Sequence, residues 1–206
     1  MIITDPNAIE QRSMDIIESE LSQDIPEENK AVVKRVIHCT ADFDYAENLT
    51  FSDGAVRKAL AALHEGCDIV TDTNMAKAGI NKAAAAKLGC EIHCYMSEPD
   101  IAEIAKERGC TRAVASMEKA AQLQRPLIFA IGNAPTALLR LRELIDEGKV
   151  KPKLVIGVPV GFVNIIESKE AIMGADVPYI VAKGRKGGSN VAAAIVNALM
   201  YQITRS

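Results

Sequence analysis

The spacing of apolar positions divides the chain into two regimes. Up to about residue 64 they recur at helical intervals; from residue 67 onward, short apolar runs alternate with helical stretches. The segment "TDPNAIEQRSMDIIESEL" predicts a helix with Asp5 as its cap and Pro6 in its first turn. Ile9, Met14, Ile16, Ile17 and Leu21 form its apolar side. A second helix is predicted over 27–37. A third covers 55–64, with Ser52 or Asp53 as its cap. Apolar runs at 67–72, 90–95, 126–132, 153–161 and 178–184 then predict strands. Helical patterns at 98–107, 113–123, 134–147, 164–173 and 189–203 separate most of them. Strands that alternate with helices pair in parallel. The expected fold is α/β, a three-layer α/β/α sandwich with a mainly parallel sheet of about five strands. No repeat, low-complexity tract or linker interrupts residues 1–206, so a single domain is expected.

Composition narrows the core. Aromatic residues are only 4% and Trp is absent, so Ala, Val, Ile and Leu must fill the interior, as suits helices packed on a parallel sheet. The net charge of -3 argues against a nucleic-acid partner. No charged segment followed by an apolar run opens the chain, and no apolar run reaches the length of a membrane span, so neither a secretion signal nor a membrane partner is expected. Five scattered cysteines without a secretion signal read as reduced thiols of a cytoplasmic protein. Cys90 and Cys94 flank His93. Strand alternation puts the two thiols on one side and the imidazole on the other, so no metal site is expected.

Open parallel sheets bind ligands outside the carboxyl ends of their strands. Here those ends are "TDTNM", "YMSEPD", "IGNAPT", "GVPVGFVN" and "AKGRKGGSN". The last is the densest. Lys183, Arg185 and Lys186 sit among Gly184, Gly187 and Gly188, directly before a helix that begins near Ser189. Glycines let backbone N–H groups approach an anion, and the helix start favours negative charge. The segment reads as a clamp for phosphates or carboxylates, against the plainer alternative of a solvated basic turn. It has neither the G-x-x-x-x-G-K-[ST] nor the G-x-G-x-x-G spacing, so no nucleotide fingerprint is present. Asn133 to Thr136 open another helix after a strand. They form a second potential anion site or a simple cap with Pro135 in the first turn.

Three single residues stand out. His38 ends the second helix, where the helix dipole favours imidazolium, a form suited to a general acid or an anion partner. Asp72, between Thr71 and Thr73 at a strand end, reads either as a buried orienting carboxylate or as the cap of the helix that follows. Arg112 reads as a carboxylate fork or a first-turn surface residue. His64 reads as a helix-end surface residue and His93 as a packed one.

The segments "IEQRS", "RVIH", "IGNAPTALLRL", "IGVPVGFVNIIESK" and "GRKGGS", in this order, resemble the precorrin-8X methylmutase family, cobalt-precorrin-8 methylmutases included. The resemblance runs from about Ala8 to Leu199. It implies an α/β/α homodimer that uses no cofactor. It implies an isomerase of cobalamin biosynthesis that moves a methyl group from C-11 to C-12 of a corrinoid ring, with any cobalt arriving inside the substrate. His38 would be the catalytic acid. Arg12, Ser13, Arg112, Gly184, Arg185, Gly187, Gly188 and Ser189 would hold the carboxylate arms of the corrinoid. Asp72 and Asn81 join this substrate-binding set; Met75 and Val160 would face the ring. The family often has Thr where Asn81 stands, and a Gly soon after the histidine, where this chain has Thr40, Ala41 and Asp42. A corrinoid carrier that binds without converting is the alternative reading.

Overall fold

The computed structural model describes residues 2–205. The chain opens with helices α1 (Pro6–Glu20), α2 (Glu27–Thr40) and the short α3 (Tyr45–Asn48), followed by strand β1 (Leu49–Phe51) and α4 (Ala55–His64). The alternating part comprises β2 (Asp68–Thr71), α5 (Asn74–Gly79), α6 (Lys82–Lys87), β3 (Ile92–His93), α7 (Pro99–Arg108), α8 (Arg112–Ala120) and β4 (Leu127–Ile131). It closes with α9 (Pro135–Asp146), β5 (Leu154–Gly157), α10 (Ile165–Met173), β6 (Tyr179–Ala182) and α11 (Ser189–Thr204).

The sheet has six strands in the order β1-β6-β5-β4-β2-β3. All five expected strands are present and parallel; the sixth, β1, pairs antiparallel with β6. β1 escapes sequence reading because Leu-Thr-Phe is too short to show alternation. Its register, Leu49 opposite Ala182, brings the start of β1 to the carboxyl edge of the parallel strands. β3 keeps only two residues of the expected run, because it is the far edge of the sheet and has one neighbour.

Side chains alternate across the sheet. Ile69, Ile128, Ile156 and Ile180 face a layer built from α1, α2, α4, α6 and α11. Val70, Phe129, Val155 and Val181 face α7 to α10. The sandwich is therefore three-layered, as the alternation of elements requires.

The caps follow local chemistry. Asp5 accepts the Ala8 N–H at 2.8 Å, and Pro6 takes the first helical position, where no N–H is missed. Neither Ser52 nor Asp53 caps α4. Gly54 does, in left-handed geometry, while Ser52 Oγ accepts the Tyr179 N–H at 2.9 Å and ties β1 to β6. α2 continues past its expected end to Thr40 and stops at Ala41, also left-handed. His38 lies in the last helical turn, at the helix end.

Candidate functional site

β2 is followed in sequence by β3 on one side and in the sheet by β4 on the other. The connections leaving β2 and β4 therefore diverge, and a crevice opens between their carboxyl ends. Asp72 lies buried beneath the turn that follows β4. Its carboxylate is fully buried and accepts three backbone N–H bonds, from Gly132 at 2.9 Å, Asn133 at 2.8 Å and Ala134 at 2.7 Å. Burial raises its pKa against the pull of those three donors. Asp72 is thus an orienting carboxylate, and what it orients is the turn after β4. It is not the cap of α5; Thr73 is, accepting the Ala76 N–H.

The wall of this cleft of about 410 Å³ comes from three strand ends: Thr73 and Met75, Gly132 and Asn133, and Gly187 to Asn190, with Val160 beside them. Close approach demands the glycines. A Cβ on Gly132 would stand 2.7 Å from the Gly188 carbonyl, and one on Gly187 would collide with the Val158 carbonyl. Ser189 opens α11 and shares a 2.8 Å hydrogen bond with the Thr73 hydroxyl, joining the loops after β2 and β6. Gly188 donates its N–H to Val158 O at 2.8 Å, which fixes the loop after β6 to that after β5.

His38 lines a neighbouring cleft of about 320 Å³ between α1 and the end of α2, with Ser13, Ile16, Ile37 and Phe43. Its imidazole is exposed and takes no hydrogen bond among the described residues. Two contacts join this helix end to the glycine-rich loop. Lys186 Nζ reaches Asp42 and Asp44, each at 2.6 Å. Next to His38, Cys39 Sγ lies 3.9 Å from Asn190 Nδ2, and Asn190 lines the other cleft. Residues about 150 apart in sequence thus share one edge of the sheet. Lys186 holds the Asp42 carboxyl below the usual carboxylate range.

The remaining predicted site residues fall in different places. Ser13 lines the His38 cleft while its hydroxyl donates to Ile9 O at 2.8 Å. Arg12 is exposed one residue away on α1. Arg185 is exposed, its guanidinium 5.5 Å from the Phe162 ring. Gly184 takes left-handed geometry at the turn that follows β6. Met75 is exposed over the crevice. Arg112 stands at the start of α8, donating to Met96 O at 3.4 Å; the adjoining Ser97 accepts from Asn74, beside Met75. Asn81 is held within the scaffold. It caps α6 through Ala84 N–H at 3.0 Å, donates to the Tyr201 hydroxyl at 3.1 Å, and its own N–H is taken by Asn197 at 2.8 Å. With its side chain so engaged, it lines neither cleft.

Sequence reading passed over Lys169. It lies within "IIESKE", yet Ile165, Ser168, Lys169 and Ile172 are the buried positions of α10. The signal was available: a lysine on the apolar stripe of a helix. Its Nζ donates to Gly184 O at 2.8 Å and Lys186 O at 2.9 Å, from beneath the glycine-rich loop. Burial lowers its pKa to about 8.

Another charged cluster sits at the opposite edge. Asp68, Glu91 and His93 bring ligand-type atoms within 4.8 Å. Asp68 already takes Arg125 at 3.0 Å, the His93 ring at 3.1 Å and the Glu91 N–H at 3.2 Å, which marks an ion-pair network. His93 also stacks on Tyr95, 5.9 Å away. His64 is an exposed helix-end residue, as expected.

Fold and cleft together define a three-layer α/β protein with a cleft at the carboxyl edge of a mainly parallel sheet, at the switch point between β2 and β4. Comparison with known proteins gives the family. The precorrin-8X methylmutase family model matches residues 8–202. The cobalt-precorrin-8 methylmutase of Salmonella typhimurium is 45% identical over 98% of this chain and 97% of its own. The precorrin-8X methylmutase of Pseudomonas aeruginosa is 39% identical, covering 96% of each. The crystal structure of the Thermus thermophilus precorrin-8X methyl mutase superposes with a TM-score of 0.88 at 39% identity, over 96% of this chain and 98% of that one. The chain belongs to the precorrin-8X methylmutase family, whose members are isomerases of cobalamin biosynthesis. No helix among the described residues is long and apolar enough to cross a membrane.

Proposed function

We propose that this chain moves the methyl group at C-11 of precorrin-8, or of its cobalt complex, to C-12. The product is hydrogenobyrinate or the cobalt counterpart. The shift is a [1,5]-sigmatropic isomerisation, with no net redox change and no external methyl donor. His38 supplies the proton. Imidazolium bonded to the macrocycle makes the ring a better electron sink, so the bond to the migrating carbon breaks and re-forms more easily. One observation supports this reading: an imidazole with no hydrogen bond among the described residues, at a helix end whose following segment is tied through Asp42 and Asp44 to Lys186 of a glycine-rich, cationic loop.

The arms of the corrinoid are acetate and propionate groups, which call for dispersed donors. In this reading Arg12, Ser13, Arg112, Arg185 and the 187–189 amides meet them, while Met75 and Val160 lie against the ring. Asp72 acts one step back, by holding the turn after β4. The chain works as a homodimer in the cytoplasm. Phe162 and Val163, 83% and 74% exposed beside the site, support self-association, and free thiols suit a reducing compartment.

The test is incubation with precorrin-8, with and without cobalt, followed by absorbance and mass. The expected result is a changed spectrum at unchanged mass. Replacing His38→Ala should leave corrinoid binding near wild type and lower turnover by roughly 10²–10⁴-fold, the usual worth of a general acid. Full turnover by the variant removes His38 from the chemistry. A bound, unconverted chromophore in the wild type identifies a carrier instead.

A further inference from the structure

A lysine ammonium is almost never fully buried without a carboxylate partner. Lys169 is 1% exposed, and among the described residues only two backbone carbonyls receive it. Both belong to the loop after β6. A trans peptide is planar, with its N–H antiparallel to its C=O. The carbonyl of Gly184 shares its plane with the N–H of Arg185, and that of Lys186 with the N–H of Gly187. Since both oxygens are drawn inward onto Lys169, both N–H groups are turned outward. Neither donates to any acceptor among the described residues, although Gly188 next to them donates to Val158 and Gly161 takes the Arg185 carbonyl. Each of these two free donors belongs to a peptide whose carbonyl is held by the same buried cation, and polarisation of each peptide favours an anion at its N–H.

We propose that Lys169 is a positioning residue that turns the Arg185 and Gly187 N–H groups into a paired site for one carboxylate arm of the ligand. This rests on the corrinoid reading above and adds to it the group that charges the cradle. Its ligand class is an alkyl carboxylate such as propionate. The ammonium does not touch the ligand. It acts through two peptide units, so its protonation sets the strength of the site. Of the other charges around the loop, Lys183 is exposed and the rest are engaged elsewhere. Lys186 faces Asp42 and Asp44, Arg185 lies over Phe162, and Arg142 of α9 is held by Asp146 and the Ala171 carbonyl. Burial alone moves the ionisation of Lys169. The site therefore weakens as pH rises through about 8.

The experiment is a titration of the full chain with sodium propionate, followed by the amide resonances of Arg185 and Gly187. At pH 7 both should shift saturably. At pH 9 the affinity should be about tenfold lower, matching the loss of protonated Lys169 one unit above its pKa. Lys169→Met should bind weakly at both pH values, and Lys169→Arg, which keeps its charge, should bind equally well at both. The proposal is overturned if the two amides do not respond to propionate, if wild-type affinity is the same at pH 7 and pH 9, or if Lys169→Met binds as wild type does. Corrinoid binding is read separately. A propionate response without any corrinoid binding sinks the methylmutase reading and leaves the carboxylate pair standing. Corrinoid binding that ignores Lys169 and pH sinks the pair alone.

Discussion

At the scale of single residues, the cleft depends on groups buried beneath its wall. Asp72 shows this best. It removes three orphan donors from the turn after β4, and their alternative is to be buried unsatisfied. Asp72→Asn keeps one acceptor oxygen but sets an NH2 group against those donors. The expected cost is about 1–3 kcal/mol, read as a lower urea midpoint, with weakened corrinoid binding from a misplaced Gly132–Ala134 turn. An unchanged midpoint would show that water or a rearranged loop satisfies those N–H groups. The sequence placed Asp72 at a strand end and left two readings open. Choosing between them required knowing that β4, not β3, is the neighbour whose turn lies within reach.

Between elements, the decisive contact joins the end of α2 to the loop after β6. Lys186 lies between two aspartates of the segment that follows His38. All three groups are largely in water, so their contribution to stability is small and salt-screened. Their effect is on distance: they hold the segment that follows His38 against the glycine-rich loop. Lys186→Ala should leave the thermal midpoint within error of wild type, while kcat/KM falls and loses much of its ionic-strength dependence. A large drop in the midpoint with unaltered kcat/KM would reverse that assignment. The Asp42 carboxyl has a depressed folded pKa, so its share of the latch is present above its unfolded value and is lost as pH falls through the folded one. Loosening of the latch therefore belongs to the acid side, and loss of the Lys169 charge to the alkaline side. The basic cluster was visible as a string of letters. Its partners were not, because Asp42 and Lys186 are far apart in sequence and only the α2–α11 packing brings them together.

For the whole molecule, the carboxyl edge combines polar cradles with bare apolar side chains. Phe162, Val163 and Ile166 are exposed side by side at the start of α10. Exposure of large apolar groups in one place marks an association surface. Phe162→Glu combined with Val163→Glu should convert a dimer to a monomer in sedimentation, without lowering the helical signal. A wild-type monomer at micromolar concentration would contradict the dimer outright.

The sequence by itself determined the layered α/β architecture, because helical and strand periodicities alternate and parallel strands need crossovers. It also determined which segments end at the ligand edge, since every parallel strand points the same way. Only the tertiary structure decided the strand order, and with it the switch point between β2 and β4. It alone added β1, too short to show a period, and showed Asn81 as the cap of α6. It alone revealed Lys169, whose role depends on which carbonyls lie above a buried ammonium. Local periodicity follows from neighbours along the chain. A site assembled from β2, β4, β6 and the end of α2 follows from distances across the fold, and no single segment carries those.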